Sequence, residues 1–339
     1  MIFDSTQFNL MKTGFMGMKV FDKKFVFSVI IILTVIGACV KNTSTPVVTS
    51  GSSIAAIVKG SANLALLDSA MSKAGLLATL DSTNPLSVAG PFTLFAPLNI
   101  AFSNIGFTDS TIYKDSVGYL RRLIKYHLIA GNGLYYSTFL QGIDYPVASA
   151  SPGDTLYLTV GGGAIYVNGN YVTQNDVTAS NGVIQVLNGV LIPPAGDIFT
   201  VLSNDTTLTY LSAAIAQASK GTYNLTALLS NGIYTMFAPT NAAFRLTPDS
   251  TLGIIQTAAP DTLARLLATH ILNGRVFSSD FTSTDTLYSY SYSDSLFVST
   301  TFGLTVQSKG DSTAAAIGPA NILATNGIIH KVSQVLFPY

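Results

Sequence analysis

The chain has 339 residues, only 10% of them charged, and its 17 basic and 17 acidic residues balance. That is well below the ~25% charge of an average soluble protein, and with no basic block or acidic tail there is no footprint for nucleic-acid binding through phosphate neutralisation. Every acid is an aspartate, and the chain holds three histidines and one cysteine, so catalytic and metal-ligating side chains are scarce and an intramolecular disulfide is excluded.

Residues 1–38 read as an export signal. Lys19, Lys23 and Lys24 precede the apolar run from Phe25 to Ile36, the order of a basic region and a hydrophobic region. The run is shorter than the ~20 apolar residues that span a bilayer. Residues 1–17 suit a signal poorly, and Met18 is the more natural initiator. The sequence Ile36-Gly37-Ala38-Cys39 resembles the lipobox of bacterial lipoproteins, in which the cysteine thiol receives a diacylglycerol and becomes the first mature residue. The alternative is an ordinary cleaved signal that leaves a free thiol. Residue 40 is Val rather than Asp, so nothing resembles the inner-membrane retention signal of Gram-negative lipoproteins, and the outer membrane is the expected destination. Residues 40–44 lack an acidic surface-export cluster, which leaves its periplasmic or outer face open. Residues 39–52 are then the lipidated cysteine and a polar tether. Without residues 1–38, which hold four of the 17 basic and two of the 17 acidic residues, the net charge is about −2.

The remaining chain divides into two expected domains, 53–195 and 196–339, each of ordinary domain size. In the first, helical periodicity runs from about 53 to 77, with Leu64, Leu67, Ala70 and Met71 on one face. A strand at 92–95 is stopped by Pro97, and one helical turn follows over 98–102. Residues 115–129 form the clearest helix, with Leu120, Leu123, Ile124, His127 and Leu128 on its stripe. Short alternating runs at 156–160, 164–167 and 171–173, separated by Gly and Asn turns, read as strands. Runs at 183–186 and 190–192 close the unit. The second domain repeats the order, with helices near 198–203, 206–218 and 261–272 and strands at about 287–307, 315–317 and 328–337. The last strand reaches the C-terminus, so no third domain or anchoring tail is expected. Helices first and strands second within each unit indicate an α+β fold.

The two units share words as well as order. Thr93-Leu94-Phe95-Ala96-Pro97-Leu98-Asn99-Ile100-Ala101-Phe102 returns as Thr235-Met236-Phe237-Ala238-Pro239-Thr240-Asn241-Ala242-Ala243-Phe244. The helix ending in His127 returns with His270, and Asn181-Gly182-Val183-Ile184 returns as Asn326-Gly327-Ile328-Ile329. The steps from 95 to 237, 127 to 270 and 181 to 326 are far longer than the roughly 20–50 residues of solenoid repeats, so a whole domain is duplicated.

These three motifs, in order and in both copies, resemble the fasciclin-like domain over about residues 53–339. The resemblance implies a β-wedge or sandwich with packed helices, and adhesion or matrix roles in secreted or membrane-anchored proteins rather than catalysis. It also implies a candidate binding pair at Tyr126 and His127, because animal relatives use a Tyr-His stretch in integrin-dependent adhesion. The second copy has Thr269-His270 instead, and the histidine usual in the closing strand is Gln185 in the first copy and His330 in the second.

Read from their surroundings, His127 and His270 lie on apolar helix stripes and are expected to pack in the core, bonded to neighbouring polar groups. Asn99 and Asn241 follow a Pro turn and are expected to satisfy local backbone. Tyr288, Tyr290 and Tyr292 would share one face of a strand and could stack on sugar rings, or simply cover a half-buried sheet; Tyr135 and Tyr136 are a weaker aromatic pair. Asp280, Asp285 and Asp294 share a loop-rich region without an EF-hand pattern. No metal, cofactor or catalytic set is expected. The function expected is binding, through envelope or extracellular proteins or through glycans, by a protein held to a membrane by its lipid.

Overall fold

The computed structural model describes residues 51–81, 91–247, 252–283, 286–290 and 294–339. The described residues make one compact unit. In its first half three helices, α1 (Ile54–Gly60), α2 (Ala65–Ala74) and α3 (Leu77–Asp81), lead to β1 (Phe92–Pro97). Helices α4 (Asn99–Asn104), α5 (Asp109–Lys114) and α6 (Val117–Tyr126) follow. The strands are then β2 (Leu128–Ile129), β3 (Gly142–Ala148), β4 (Thr155–Gly161), β5 (Ala164–Val167), β6 (Asn170–Ala179) and β7 (Gly182–Leu187). They form one seven-stranded sheet in the order β2-β1-β7-β6-β5-β4-β3.

The second half repeats this with α7 (Ile198–Asn204), α8 (Thr209–Ala218), α9 (Leu225–Asn231), β8 (Tyr234–Pro239), α10 (Asn241–Phe244), α11 (Leu252–Thr257) and α12 (Pro260–Ala268). Its strands are β9 (Ile271–Asn273), β10 (Thr286–Tyr288), β11 (Ser295–Ser299), β12 (Thr305–Ser308), β13 (Ala315–Ala316), β14 (Ile322–Ala324) and β15 (Gly327–Val332). They form two four-stranded sheets, β14-β15-β8-β9 and β10-β11-β12-β13. Each domain is α+β.

In both domains the motif-bearing strands pair in parallel, β1 with β7 and β8 with β15, while the other strand pairings are antiparallel. All six residues of β1 and of β7 are buried, as expected for parallel strands covered on both faces. On one face Leu94, Ala96, Ile184 and Val186 meet the helices. On the other Phe95 and Leu187 join Leu156, Leu158, Ile165 and Val167 of the sheet. Met236, Ala238 and Ile329 face the helices of the second domain, and Phe237 and Val332 face its β10–β13 sheet. The first domain's sheet cluster also takes in Phe277, Leu323 and Ile328 of the second, so the two domains share apolar contact.

The Asn-Gly pair at the start of β7 and of β15 explains the pairing. A Cβ on Gly182 would stand 2.0 Å from the Phe92 carbonyl oxygen, and one on Gly327 2.0 Å from that of Tyr234. The neighbouring asparagines fix the first helix of each domain: Asn181 Oδ1 accepts from the Ile54 N–H (2.9 Å), and Asn326 Oδ1 from that of Ile198 (2.8 Å). Their amides donate to the Leu80 carbonyl in one copy and to the Leu229 and Gly232 carbonyls in the other.

Several expected elements take different bounds. The helix over 53–77 breaks at Ser61, which is extended, and α1 meets the next helical segment at 102°. The helix over 115–129 stops at Tyr126, and Leu128 and Ile129 pair with β1 instead; the helix expected to 272 likewise yields Ile271–Asn273 to β9. Residues 190–192 and 333–337 are not strands. Among the described residues no single helix is long and apolar enough to cross a membrane, though the bent segment at 54–74 passes by length and composition; its apolar residues lie in the first domain's core.

Gly118, inside α6, has open space where a Cβ would go. Gly118→Ala is expected to stabilise the protein by about 0.5–1 kcal/mol. Gly182→Ala is expected to cost about 3 kcal/mol or more through its clash with backbone. Urea unfolding midpoints of the two variants against the parent check both signs.

Candidate functional site

The residues that recur between the copies are spread along the paired strands and the elements packed against them. Asn99, directly after β1, accepts from the Leu66 N–H (3.0 Å) and donates to the Ala62 carbonyl (2.7 Å). Asn241 accepts from the Tyr210 N–H (3.0 Å) and donates to the Thr206 carbonyl (3.0 Å). Each thus caps from a distance the helix that starts there, α2 or α8, satisfying donors that a helix start leaves open. The same bonds account for the break at Ser61.

His127 is fully buried at the C-cap of α6. The Leu191 N–H donates to its Nε2 (2.9 Å), so Nδ1 carries the proton and donates to the Leu123 carbonyl (2.8 Å). His270 does the same between the Leu336 N–H (2.9 Å) and the Leu266 carbonyl (3.0 Å). Each imidazole therefore ties the segment after the last strand to the central helix, which is why those segments do not need a strand partner. Tyr126 is also buried; its hydroxyl donates to the Thr155 carbonyl and accepts from Asn168 Nδ2, both at 2.8 Å. Burial raises its pKa well above the ordinary tyrosine value. Neither Tyr126 nor His127 offers a surface to a ligand in this structure. In the second copy, buried Thr269 donates to Asp294 (3.1 Å), which accepts from the Tyr339 N–H (2.9 Å).

Gln185 and His330 prove to be chemical equivalents. Gln185 Nε2 donates to the Leu134 carbonyl and His330 Nε2 to the Val276 carbonyl, both at 2.9 Å. Asn321 N–H donates to His330 Nδ1 (3.3 Å), so this histidine has the opposite tautomer to the other two. Thr93 and Thr235 complete the pattern, each donating to one loop carbonyl and accepting from one loop N–H at 2.8–2.9 Å.

Tyr288 and Tyr290 do not lie on one strand. β10 ends at Tyr288, which is 62% exposed. Tyr290 lies in a turn, half-buried edge-on against Tyr234 with ring centroids 5.6 Å apart. Tyr292 lies outside the described residues, as do Cys39 and Asp285. The aromatic neighbour of Tyr288 is instead Phe297: Thr286 pairs with Phe297 and Tyr288 with Ser295, which puts Tyr288 and Phe297 diagonally on one exposed face, Phe297 being 46% exposed. Phe302, in the connection from β11 to β12, is fully exposed. Sequence periodicity passed over Phe297 because a lone aromatic in an alternating run looks like any strand residue; only the register shows which face it takes.

Two hollows accompany these features. One, of about 360 Å3, lies between the domains and is lined by Ile105, Asn168, Asn188, Ile192, Pro319 and Asn321 among others. The other, of about 340 Å3, is apolar and lies among α11, α12 and the C-terminal segment. Among the described residues no group of three His, Cys or Asp side chains could hold a metal ion.

Burial lowers the pKa of His127, His270 and His330 to about 4 each, against a weaker opposing effect of the carbonyl each one bonds. Between pH 4 and the ordinary value of 6.5 the unfolded chain therefore binds protons that the folded chain refuses. Stability should be fully present above about pH 6.5 and be lost as pH falls toward 4, by roughly 3 kcal/mol per histidine. His330→Gln, which copies the first domain, should keep neutral-pH stability within about 1 kcal/mol and remove about a third of the acid-induced loss. Denaturant unfolding across this pH range measures both.

Known proteins resemble this chain. Over 270 residues, 74% of the chain and 35% of the relative, it is 26% identical to transforming growth factor-beta-induced protein ig-h3 of Sus scrofa. Over 116 residues, 34% of the chain and 62% of the relative, it is 37% identical to protein sll1483 of Synechocystis sp.. The chain thus spans about a third of the length of the ig-h3 relatives it matches. A solved FAS1 domain pair from the insect cell adhesion molecule Fasciclin I aligns with 80% of this chain and 96% of its own, at 20% identity and a TM-score of 0.38. The fasciclin domain model matches residues 62–193 and again 208–338. The chain belongs to the fasciclin domain family, as a tandem pair.

Proposed function

We propose that this is a lipid-anchored envelope protein that adheres or assembles through protein contacts made by its two fasciclin domains. The observation that carries this reading is where the recurrent polar groups go. Asn99, His127, Asn181 and Gln185, like Asn241, His270, Asn326 and His330, are bonded to backbone of their own domain. A duplicated set of catalytic residues would instead converge on a hollow where a substrate could sit. What these residues leave outside is a weakly charged surface with exposed aromatics, the residue type enriched where proteins meet. Two linked modules add avidity if their geometry lets both engage.

The anchor rests on Lys19–Lys24, the apolar run and Cys39. The adhesive role rests on the family and on Tyr288, Phe297 and Phe302. A second reading, glycan capture as an accessory of outer-membrane polysaccharide uptake, keeps a smaller support than three aligned tyrosines would give. Tyr288 and Phe297 together make one diagonal aromatic patch beside the hydroxyls of Thr286 and Ser295.

Cells carrying the full chain are expected to attach to one another or to a protein-coated surface, and Cys39→Ser is expected to release the protein from the membrane fraction and abolish attachment. A Tyr288→Ser/Phe297→Ser/Phe302→Ser variant, still folded by circular dichroism, is expected to attach at least tenfold less (about 1.4 kcal/mol). Unchanged attachment by that variant would remove this surface from the account. Binding of the parent to a glycan array, lost in the same variant, would instead select the second reading.

A further inference from the structure

The contact between the domains contains two carboxyl groups that face each other. Asp144, on β3 of the first domain, has a left-handed backbone (φ 53°), a conformation that Asp and Asn tolerate better than most residues. Asp280 lies in the 3-10 turn Ser278–Asp280 of the second domain. Between them stands Thr159 of β4, whose Oγ1 donates to Asp144 Oδ1 at 3.0 Å and lies 3.4 Å from Asp280 Oδ1. The same oxygen accepts from the Asp144 N–H at 3.1 Å. The Phe277 N–H donates to Asp280 Oδ2 at 2.6 Å, and the Ser279 hydroxyl lies 3.3 Å from Asp280 Oδ1. The two carboxyl groups therefore meet on one hydroxyl, that of Thr159.

Ionised carboxylates only accept, so two of them bonded to one hydroxyl need a proton on one of the carboxyls. Thr159 has a single proton and cannot supply both. Arg275 is the facing cation, but its guanidinium stacks on the Tyr157 ring, 4.0 Å from the centroid, and reaches toward the Thr325 carbonyl. It makes no ion pair with either aspartate among the described residues. The adjoining interdomain contact is aromatic, Tyr157 against Phe277 with centroids 6.2 Å apart.

We propose that Asp144 and Asp280 share one proton across the domain boundary, and that this proton sets how firmly the two domains are docked. Partial burial, and then the charge of Asp280, push the Asp144 carboxyl up to about 7, with Thr159 and Arg275 acting the other way; Asp280 is raised as well, first by burial. Undocking separates the carboxyl groups and returns them toward ordinary acidity. The docked form therefore binds the proton more tightly. Its advantage is complete below about pH 4 and is lost as pH rises through about 7. From pH 6 to pH 8 the docking equilibrium falls by about tenfold. The three buried histidines stay neutral over that interval, and so do not contribute.

Native-state hydrogen exchange on the full chain at pH 6, 7 and 8, corrected for intrinsic rates, tests this. The amides of Phe277 and Asp280 are expected to open about tenfold more readily at pH 8 than at pH 6. Asp144→Asn, and separately Asp280→Asn, are expected to make the opening independent of pH. An equal pH dependence in parent and variants would overturn the proposal. So would a carbon-13 titration of the unmutated protein in which the Asp144 carboxyl ionises near pH 4, a measurement that needs no variant to fold. Both tests are independent of the adhesive reading.

Discussion

The fold depends on one close approach, the parallel pairing of the first strand of each domain with its last. Parallel strands cannot be joined by a tight turn, so α4–α6 and β2–β6 lie between them in the first domain and α10–α12 and β9–β14 in the second. The pairing brings backbone against backbone at Gly182 and Gly327 with no room for a side chain. Once those strands meet, Asn181 and Asn326 reach the first helices, and Gln185 and His330 reach the loops after the short strands β2 and β9. Both faces of the pair are then buried, one by helices and one by the remaining strands.

This architecture accounts for the residues that recur. Asn99 and Asn241 start helices from a distance, while His127 and His270 hold the closing segments. The replacement of histidine by glutamine between copies follows the same logic, since either side chain can donate to the carbonyl waiting there. A buried donor or acceptor left unmade costs about 1–3 kcal/mol, so these positions are constrained without touching any ligand. The surfaces are free to differ, and binding would lie there. The second domain's outer sheet carries Tyr288 and Phe297, while the first domain's sheet presents Tyr157 to Arg275 and Phe277 of its neighbour.

Much of this was legible in the sequence. The duplication, the α+β order and the burial of His127 and His270 follow from spacing and apolar stripes, and the family from the resemblance that the repeated motifs carry. The ends of elements did not. The helix over 53–77 reads as continuous because its apolar period barely falters, and the break depends on Asn99, 33 residues beyond Leu66. Residues 190–192 and 333–337 look like strands because they are apolar, yet their N–H groups at Leu191 and Leu336 go to histidines. Strand β3, which no expected element covered, carries a register shift and a left-handed aspartate that disturb its alternation. Tyr288 and Tyr290 do not share a strand face, because period two cannot show where a strand stops. The pairing of Asp144 with Asp280 joins residues 136 positions apart in different domains, and nothing local marks either one.

The recurrent polar residues are architecture, and each histidine among them is fixed in one neutral tautomer by its bonds. Long-range proton–nitrogen correlation spectra of the imidazoles at about pH 7 test this most directly. Three neutral rings are expected, with the proton on Nδ1 in His127 and His270 and on Nε2 in His330. A histidine that titrates near its ordinary value of 6.5, or that exchanges between tautomers, would be an accessible group and would contradict it.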